Sequence, residues 1–437
     1  MLLLAGTATA EQSDVPTADP AIEAQQKLLQ PDPRLADERP TWGALDTAGQ
    51  GIVLFDSDQL GQVALSAYAL VRYIDQRPAV QSFVDHLGNE HDIDTRRDIQ
   101  FHRAMIHLKG WFYTPKFRYQ ITVWTVMSTD QTTLYGFLGY QFTKWFNLYG
   151  GINTPGGSRS VMGSHPLWLA NDRVMADEYF RGSFTGTLWA NGEILPGLWY
   201  HLALSNNLSQ LGITASQLTR DIGTGVGMWW MPTTHEFGPL GAYGDWEYHE
   251  TLATRFGFSR IRSRENSQTL QNNEPDNTQV RLADSLLLFS PGSLAPGVSV
   301  QRADWESVSV DAGIKYKGMF LQAEYYWRQL DNFAADGALP VTKIVDDGFY
   351  VQGAFFPIKQ KLELYGATSW VFGDKDAGFG DAHEYIIGTN YYPAHTRKLR
   401  VNAQIIYVDK SAVNSTFGFY VGGQTGPTYS VAASLLF

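Results

Sequence analysis

The sequence predicts an all-β protein: a single antiparallel transmembrane β-barrel of about 16 strands, preceded by a short N-terminal arm. Three observations lead there. From residue 60 onward apolar residues recur with period two, and no stretch of helical period of comparable length follows the arm. Connections between these segments alternate between tight turns and long polar stretches, the pattern of outer-membrane barrels with periplasmic turns and extracellular loops. The composition also fits. Only 18% of residues are charged, against roughly 25% in a soluble domain, while 24 Phe, 22 Tyr, 13 Trp and 42 Gly fill a chain of 437.

The first ten residues, MLLLAGTATA, carry a short apolar run and an Ala8-Thr9-Ala10 cleavage pattern, so 1–10 reads as the remnant of a signal peptide and implies export. Residues 11–45, rich in Pro, Asp, Glu and Gln, read as a periplasmic arm or small plug. Within it, Asp19-Pro20 could open a short helix, AIEAQQKLLQ, of about three turns, marginal alone. The barrel then occupies 46–437.

Four segments show the alternation most clearly. In 116–124, Phe117, Tyr119, Ile121 and Val123 alternate with Arg118, Gln120, Thr122 and Trp124. The same holds for 198–206, 320–328 and 399–407. Twelve further segments fit less cleanly: 62–74, 98–110, 134–142, 146–153, 184–190, 224–231, 252–260, 307–317, 349–356, 361–370, 383–392 and 428–437. Many approach the roughly 9–11 residues a tilted strand needs to cross a bilayer. No run of 18 apolar residues exists, so no transmembrane helix is expected, which says nothing against a barrel. Phe112-Tyr113-Thr114-Pro115 and Thr143-Lys144-Trp145 read as tight turns; 75–97, 154–182 and 261–300 read as long loops. At the C-terminus Tyr429, Val431, Ala433, Leu435 and Phe437 share one face, and this phasing of Tyr429 and Phe437 reads as a barrel assembly signal.

Other chemistries find little support. The chain has no cysteine, which removes disulfides, thiolate metal sites and a cysteine nucleophile. Its net charge of −11 argues against nucleic acid as a partner. His102 and His107, five apart, are expected on opposite faces of one strand. Neither His235-Glu236 nor His249-Glu250 is followed by a second His at zincin spacing. Gly223, Gly225 and Gly227 alternate within a strand, unlike a nucleotide loop, and His201 with Ser205 is a weak hint of a nucleophile and base. Asp276-Asn277 and Asp245 with Glu247 could bind calcium in loops, but neither pair has a calcium-loop template. No catalytic residue, cofactor or metal is assigned.

Two stretches resemble the phosphate-selective porin O and P family. The first runs from FHRAMIHLKGWFYTPKFRYQITV (101–123) through FNLYGGINTP (146–155) to NDRVMADEYFRGSFTGTL (171–188). The second runs from DDGFYVQGAFFPIKQKLELYGATSW (346–370) through HEYIIGTNYY (383–392) and KLRVNAQIIYV (398–408) to the last strand. The resemblance implies a sixteen-stranded trimeric barrel that passes small solutes and sometimes prefers anions. It also implies that the loop near 154–182 folds inward and narrows the pore. The dense basic ladder expected of the phosphate-specific members is not found in this sequence.

With the apolar face toward lipid, the other face lines the lumen. Expected inward bases are Arg72, Arg103, Lys109, Arg118, Arg255, Lys315, Arg328, Lys361 and Arg400; expected inward acids are Asp311, Glu324, Glu363 and Glu384. This basic excess would favour an anion inside the pore, unless the charges pair across strands. The candidate constriction adds Arg159, Arg173 and Arg181 against Asp172, Asp177 and Glu178. Guanidinium forks suit phosphate or carboxylate oxygens.

The function expected is therefore an outer-membrane porin of a Gram-negative bacterium, not an enzyme. It is expected to pass small hydrophilic solutes with a weak anion preference, to sit in outer-membrane lipid and to form a homotrimer. The alternatives are a barrel that anchors another outer-membrane component and, further off, a barrel enzyme.

Overall fold

A computed structural model describes residues 51–126, 131–163, 165–208, 221–267, 279–415 and 418–437. The expected signal-peptide remnant and arm, and Asp276-Asn277, lie outside the described residues. The strands begin with β1 (Ile52–Ser57), β2 (Gly61–Gln76), β3 (Ser82–Val84), β4 (Glu90–Asp92), β5 (Arg97–Phe112), β6 (Thr114–Val126), β7 (Gln131–Gln141) and β8 (Asn147–Asn153). One short α-helix among the described residues, α1 (Met175–Phe180), precedes β9 (Thr185–Leu195), β10 (Leu198–Ser205), β11 (Gly223–Trp230), β12 (Ala253–Asn266) and β13 (Val300–Tyr316). The chain ends with β14 (Met319–Ala335), β15 (Lys343–Ile358), β16 (Leu362–Phe372), β17 (Asp381–Tyr391), β18 (Leu399–Asp409) and β19 (Gly426–Leu436).

Every neighbouring pair in the large sheet is antiparallel, and the sheet closes because β19 pairs with β2 and β9 with β10. Without β1 and the separate β3–β4 hairpin, the ring has sixteen strands, one for each expected segment. The closure has a seam. β2 pairs along one edge with β5. Its other edge is divided: β1 covers Gly61–Leu65 and β19 covers Tyr68–Gln76. Between them Ala67 and Phe437 exchange both backbone hydrogen bonds, at 2.9 and 3.0 Å.

The alternation sorts side chains as the period of two demands. On β6, Ile121 is 46% exposed while Gln120 is 2% exposed. The outward residues are apolar and the inward ones carry most of the polar groups, which is the arrangement a hydrocarbon exterior selects.

Four expectations are corrected. β12 runs to Asn266, so 261–266 is strand rather than loop, and Arg262 lies on its outward face. The 75–97 stretch is not plain loop: β2 runs to Gln76 and the β3–β4 hairpin stands within it. His102 and His107 do not face opposite sides; both are fully buried. A register shift sets Leu70 opposite Arg103 but Val71 opposite Phe101, so the extra residue turns His102 inward alongside Arg103, as a β-bulge does. Lys361 does not line the wall; it sits in the turn between β15 and β16, its N–H bonded to Ile358 O.

Candidate functional site

The described residues of the β8–β9 connection, 154–163 and 165–184, lie against the inner wall of the barrel. Glycine on the facing strand makes room for it. The inward face of β11 presents Gly225 and Gly227, where a Cβ would stand 1.7 Å from Pro155 O and 2.8 Å from Met162 Sδ. The alternating Gly223-Gly225-Gly227 set is thus a flat track for the loop backbone. His201 on β10 bonds Thr154 O through Nε2 at 3.2 Å, so this histidine holds the start of the loop.

From there the loop travels around the wall, held by strand side chains. Ser259 on β12 accepts from Gly157 N at 2.7 Å, and Ser309 on β13 donates to Gly157 O at 3.1 Å. Glu324 on β14 accepts from Arg159 N at 2.9 Å. Across the lumen, Arg400 on β18 donates to Trp168 O and Asn390 on β17 to Leu169 O. Helix α1 has no side-chain cap of its own. Instead the wall caps it: Glu384 Oε2 accepts from Met175 N at 2.8 Å and Ser369 Oγ from Ala176 N at 2.9 Å. Two of the helix's orphan donors are thereby satisfied from other strands.

The expected constriction residues fall in three places along this loop. Arg159 is 1% exposed and donates to Gly241 O, its guanidinium carbon 4.2 Å from the Tyr243 ring centre. Asp172 sits beside three wall groups: Arg103 at 3.4 Å, His102 at 3.6 Å and Arg72 at 4.0 Å. Burial alone would raise its carboxyl, but the Arg103 charge and the His102 contact outweigh burial and hold it well below the usual carboxylate range. Arg173, Asp177, Glu178 and Arg181 gather at α1. Arg173 bonds Ser160 Oγ at 2.7 Å, lies 3.8 Å from Asp177 and stacks over Trp168. Arg181 pairs with Glu178 at 2.7 Å. Burial raises Asp177, whereas the Arg181 charge outweighs burial at Glu178 and lowers it.

Most of the wall residues expected to line the pore have internal partners. Arg255 pairs with Asp311, Arg328 with Asp346 and Tyr179, and Lys315 donates to Phe237 O at 2.7 Å. Glu363 accepts from Asn390 and Tyr392. Arg118 is buried on β6 and Lys109 half-buried on β5. The sequence reading missed Asp346, which the phase of β15 places inward, and Tyr420, whose hydroxyl joins Arg173 O to Glu384. It also did not place residues 231–252 inside the barrel. Their signal was compositional: Phe237, Tyr243 and Trp246 are large aromatics for a simple connection. Within them Asp245, Glu247 and His249 bring one ligand atom each within 4.8 Å of the others. Arg397 pairs with Glu247, while Gly318 N and His249 bond Asp245.

Comparison with known proteins agrees with this architecture. The sequence profile of the family described as phosphate-selective porin O and P matches residues 269–417. No curated protein sequence matches the chain. Among solved structures, the outer-membrane expressed OmpT of Vibrio cholerae superposes with a TM-score of 0.54 at 13% identity, covering 88% of this chain and 100% of its own. The trimer form of in-vitro folded Vibrio cholerae OmpT gives 0.55 at 12%, covering 87% and 100%. With an inner-wall loop in a closed sixteen-stranded ring, the chain has the fold of outer-membrane barrels, and its residues 269–417 match the phosphate-selective porin O and P family.

Proposed function

We propose that this porin is a diffusion channel for small hydrophilic solutes with a weak preference for anions, and that its narrow zone is the loop 154–184. The observation that carries this reading is the loop itself: a segment bearing Arg173 and Arg181, bound to the inner wall from β10 to β18. A charge in such a partly dehydrated passage acts at a lower effective dielectric than one in an outer loop. Two unit charges ~4 Å apart interact by about 1 kcal/mol in water but about 4 at an effective dielectric near 20. Charges of the outer loops also fade beyond a Debye length of about 8 Å at physiological salt. The net −11 of the chain therefore weighs less than the few groups at the constriction.

The test is the reversal potential of the purified protein in a planar bilayer under a salt gradient. Wild type is expected to lie slightly on the anion side, and Arg173→Glu to move toward cation preference more than Arg262→Glu on the outward face of β12. A cation-preferring wild type would mean that Asp172, Asp177 and Glu178 dominate instead.

The same reading includes a homotrimer. A hollow of about 1170 Å³ on the outer wall is floored by small residues, among them Gly353, Gly366 and Ala403, and rimmed by Leu321, Phe355 and Ile387. Small outward residues let two walls approach closely, as small residues do between membrane helices. Cross-linking in detergent is expected to trap three copies, and Gly366→Trp to reduce that species.

A further inference from the structure

The β11–β12 connection, residues 231–252, departs from the others at its end of the barrel. There β5–β6, β9–β10, β13–β14 and β15–β16 are joined by turns of one to three residues, and β7–β8 and β17–β18 by five and seven. This connection instead turns into the barrel mouth. Phe237, Ala242, Tyr243 and Asp245 are buried. Wall groups hold it: Lys315 donates to Phe237 O, Tyr350 OH meets Tyr243 OH at 3.2 Å, and Gly318 N donates to Asp245 at 2.7 Å. At Gly244 a Cβ would stand 2.1 Å from Glu363 Oε1, so the backbone runs hard against the wall.

This segment meets the loop 154–184 from the opposite side. Tyr243 N donates to Leu167 O at 2.9 Å, and Arg159 donates to Gly241 O. The Arg159 guanidinium lies among the rings of Tyr243, Phe237 and Phe320, at 4.2, 5.3 and 6.0 Å. A guanidinium at 1% exposure with rings about it is a poor ligand for a passing solute and a strong clamp for what it touches.

We propose that residues 231–252 form the second jaw of the constriction and that Arg159 is the positioning residue that latches the two jaws together, rather than an anion-attracting group. This rests on the reading of the protein as a channel narrowed by 154–184.

Single-channel recording of folded protein, selected by its heat-modifiable mobility on gels, tests it. Arg159→Ala and Tyr243→Ala are each expected to raise conductance by about twofold as the passage widens, and the double variant to rise no further than either. Tyr243→Phe, which keeps the ring, and Arg159→Lys, which keeps a cation and a donor, are expected to stay near wild type. The reversal potential of Arg159→Ala is expected to move less than that of Arg173→Glu. Because the chain has no cysteine, a Leu167→Cys/Tyr243→Cys pair gives a second measurement: conductance is expected to be low when oxidised and to rise on reduction. Conductance unchanged in Arg159→Ala with a shift toward cations would overturn the latch. Indifference of the cysteine pair to reduction would overturn the second jaw. A wild type that forms no channel defeats the underlying channel reading; a conducting wild type with unaltered variants defeats this inference alone.

Discussion

One step along β6, from Gln120 to Ile121, crosses from the lumen to the lipid-facing side. Gln120 bonds Thr122 Oγ1 at 3.2 Å among buried polar groups, while Ile121 has no polar duty and stands exposed on the apolar face. Ile121→Arg is therefore expected to destabilise the folded barrel by about 2–4 kcal/mol if the residue lies near the midplane, read from a shifted urea midpoint of the heat-modifiable form. Gln120→Glu, of the same size and facing the lumen, is expected to shift it far less. Equal losses would show that the phase of β6 is misassigned. At this scale the sequence was highly legible, because side-chain direction on a strand follows from counting. It failed where counting fails. The irregular register near Phe101 turned His102 inward beside Asp172, and nothing in the residue types around it announces the inserted position.

At the scale of elements, strands were legible and their connections were not. Strand pairing is written in a local period, whereas the path of a loop depends on partners far away in sequence. Helix α1 is capped by Ser369 and Glu384, and Arg159 is met by Gly241; neither pairing has a local signature. The β3–β4 hairpin was likewise read as plain loop. Its turn is organised by Asp85, whose carboxylate accepts from Leu87 N at 2.9 Å, Asn89 N at 2.8 Å and His91 Nε2 at 2.8 Å. Burial alone would raise this carboxyl, but the His91 and Asn89 hydrogen bonds outweigh it and lower it to about 2. A lowered folded value stabilises the turn above the unfolded pKa of about 3.9 and loses that contribution as pH falls toward 2. Hydrogen exchange at the Leu87 and Asn89 amides is thus expected to be steady at pH 5 and, after correction for intrinsic rates, to speed up below pH 4. In Asp85→Asn it should be fast already at pH 5. Protection that survives unchanged in Asp85→Asn would show that the hairpin does not rely on this carboxylate.

For the whole molecule, the ring of sixteen strands depends on one seam. The N–H of Ala67 is spent on Phe437 O, so Ala67→Pro removes a closing bond without touching the opposite edge of β2. It is expected to cost at least about 1 kcal/mol and to lower the temperature at which the folded gel form converts to the unfolded one; an unchanged conversion temperature would show that closure does not depend on that pair. The seam also has a consequence in time. Its two halves, Ala67 and Phe437, come from near the two ends of the described chain, so none of the nearer hairpins can complete the ring for them. Until the last strand is delivered, the sheet has two bare edges, Tyr68–Gln76 of β2 on one side and β18 on the other, each a template for another chain. Loop closure over such a separation is slow to find. The unclosed intermediate is thus the vulnerable species in the life of this protein, and whatever escorts it across the periplasm must shield those two edges until the final strand arrives.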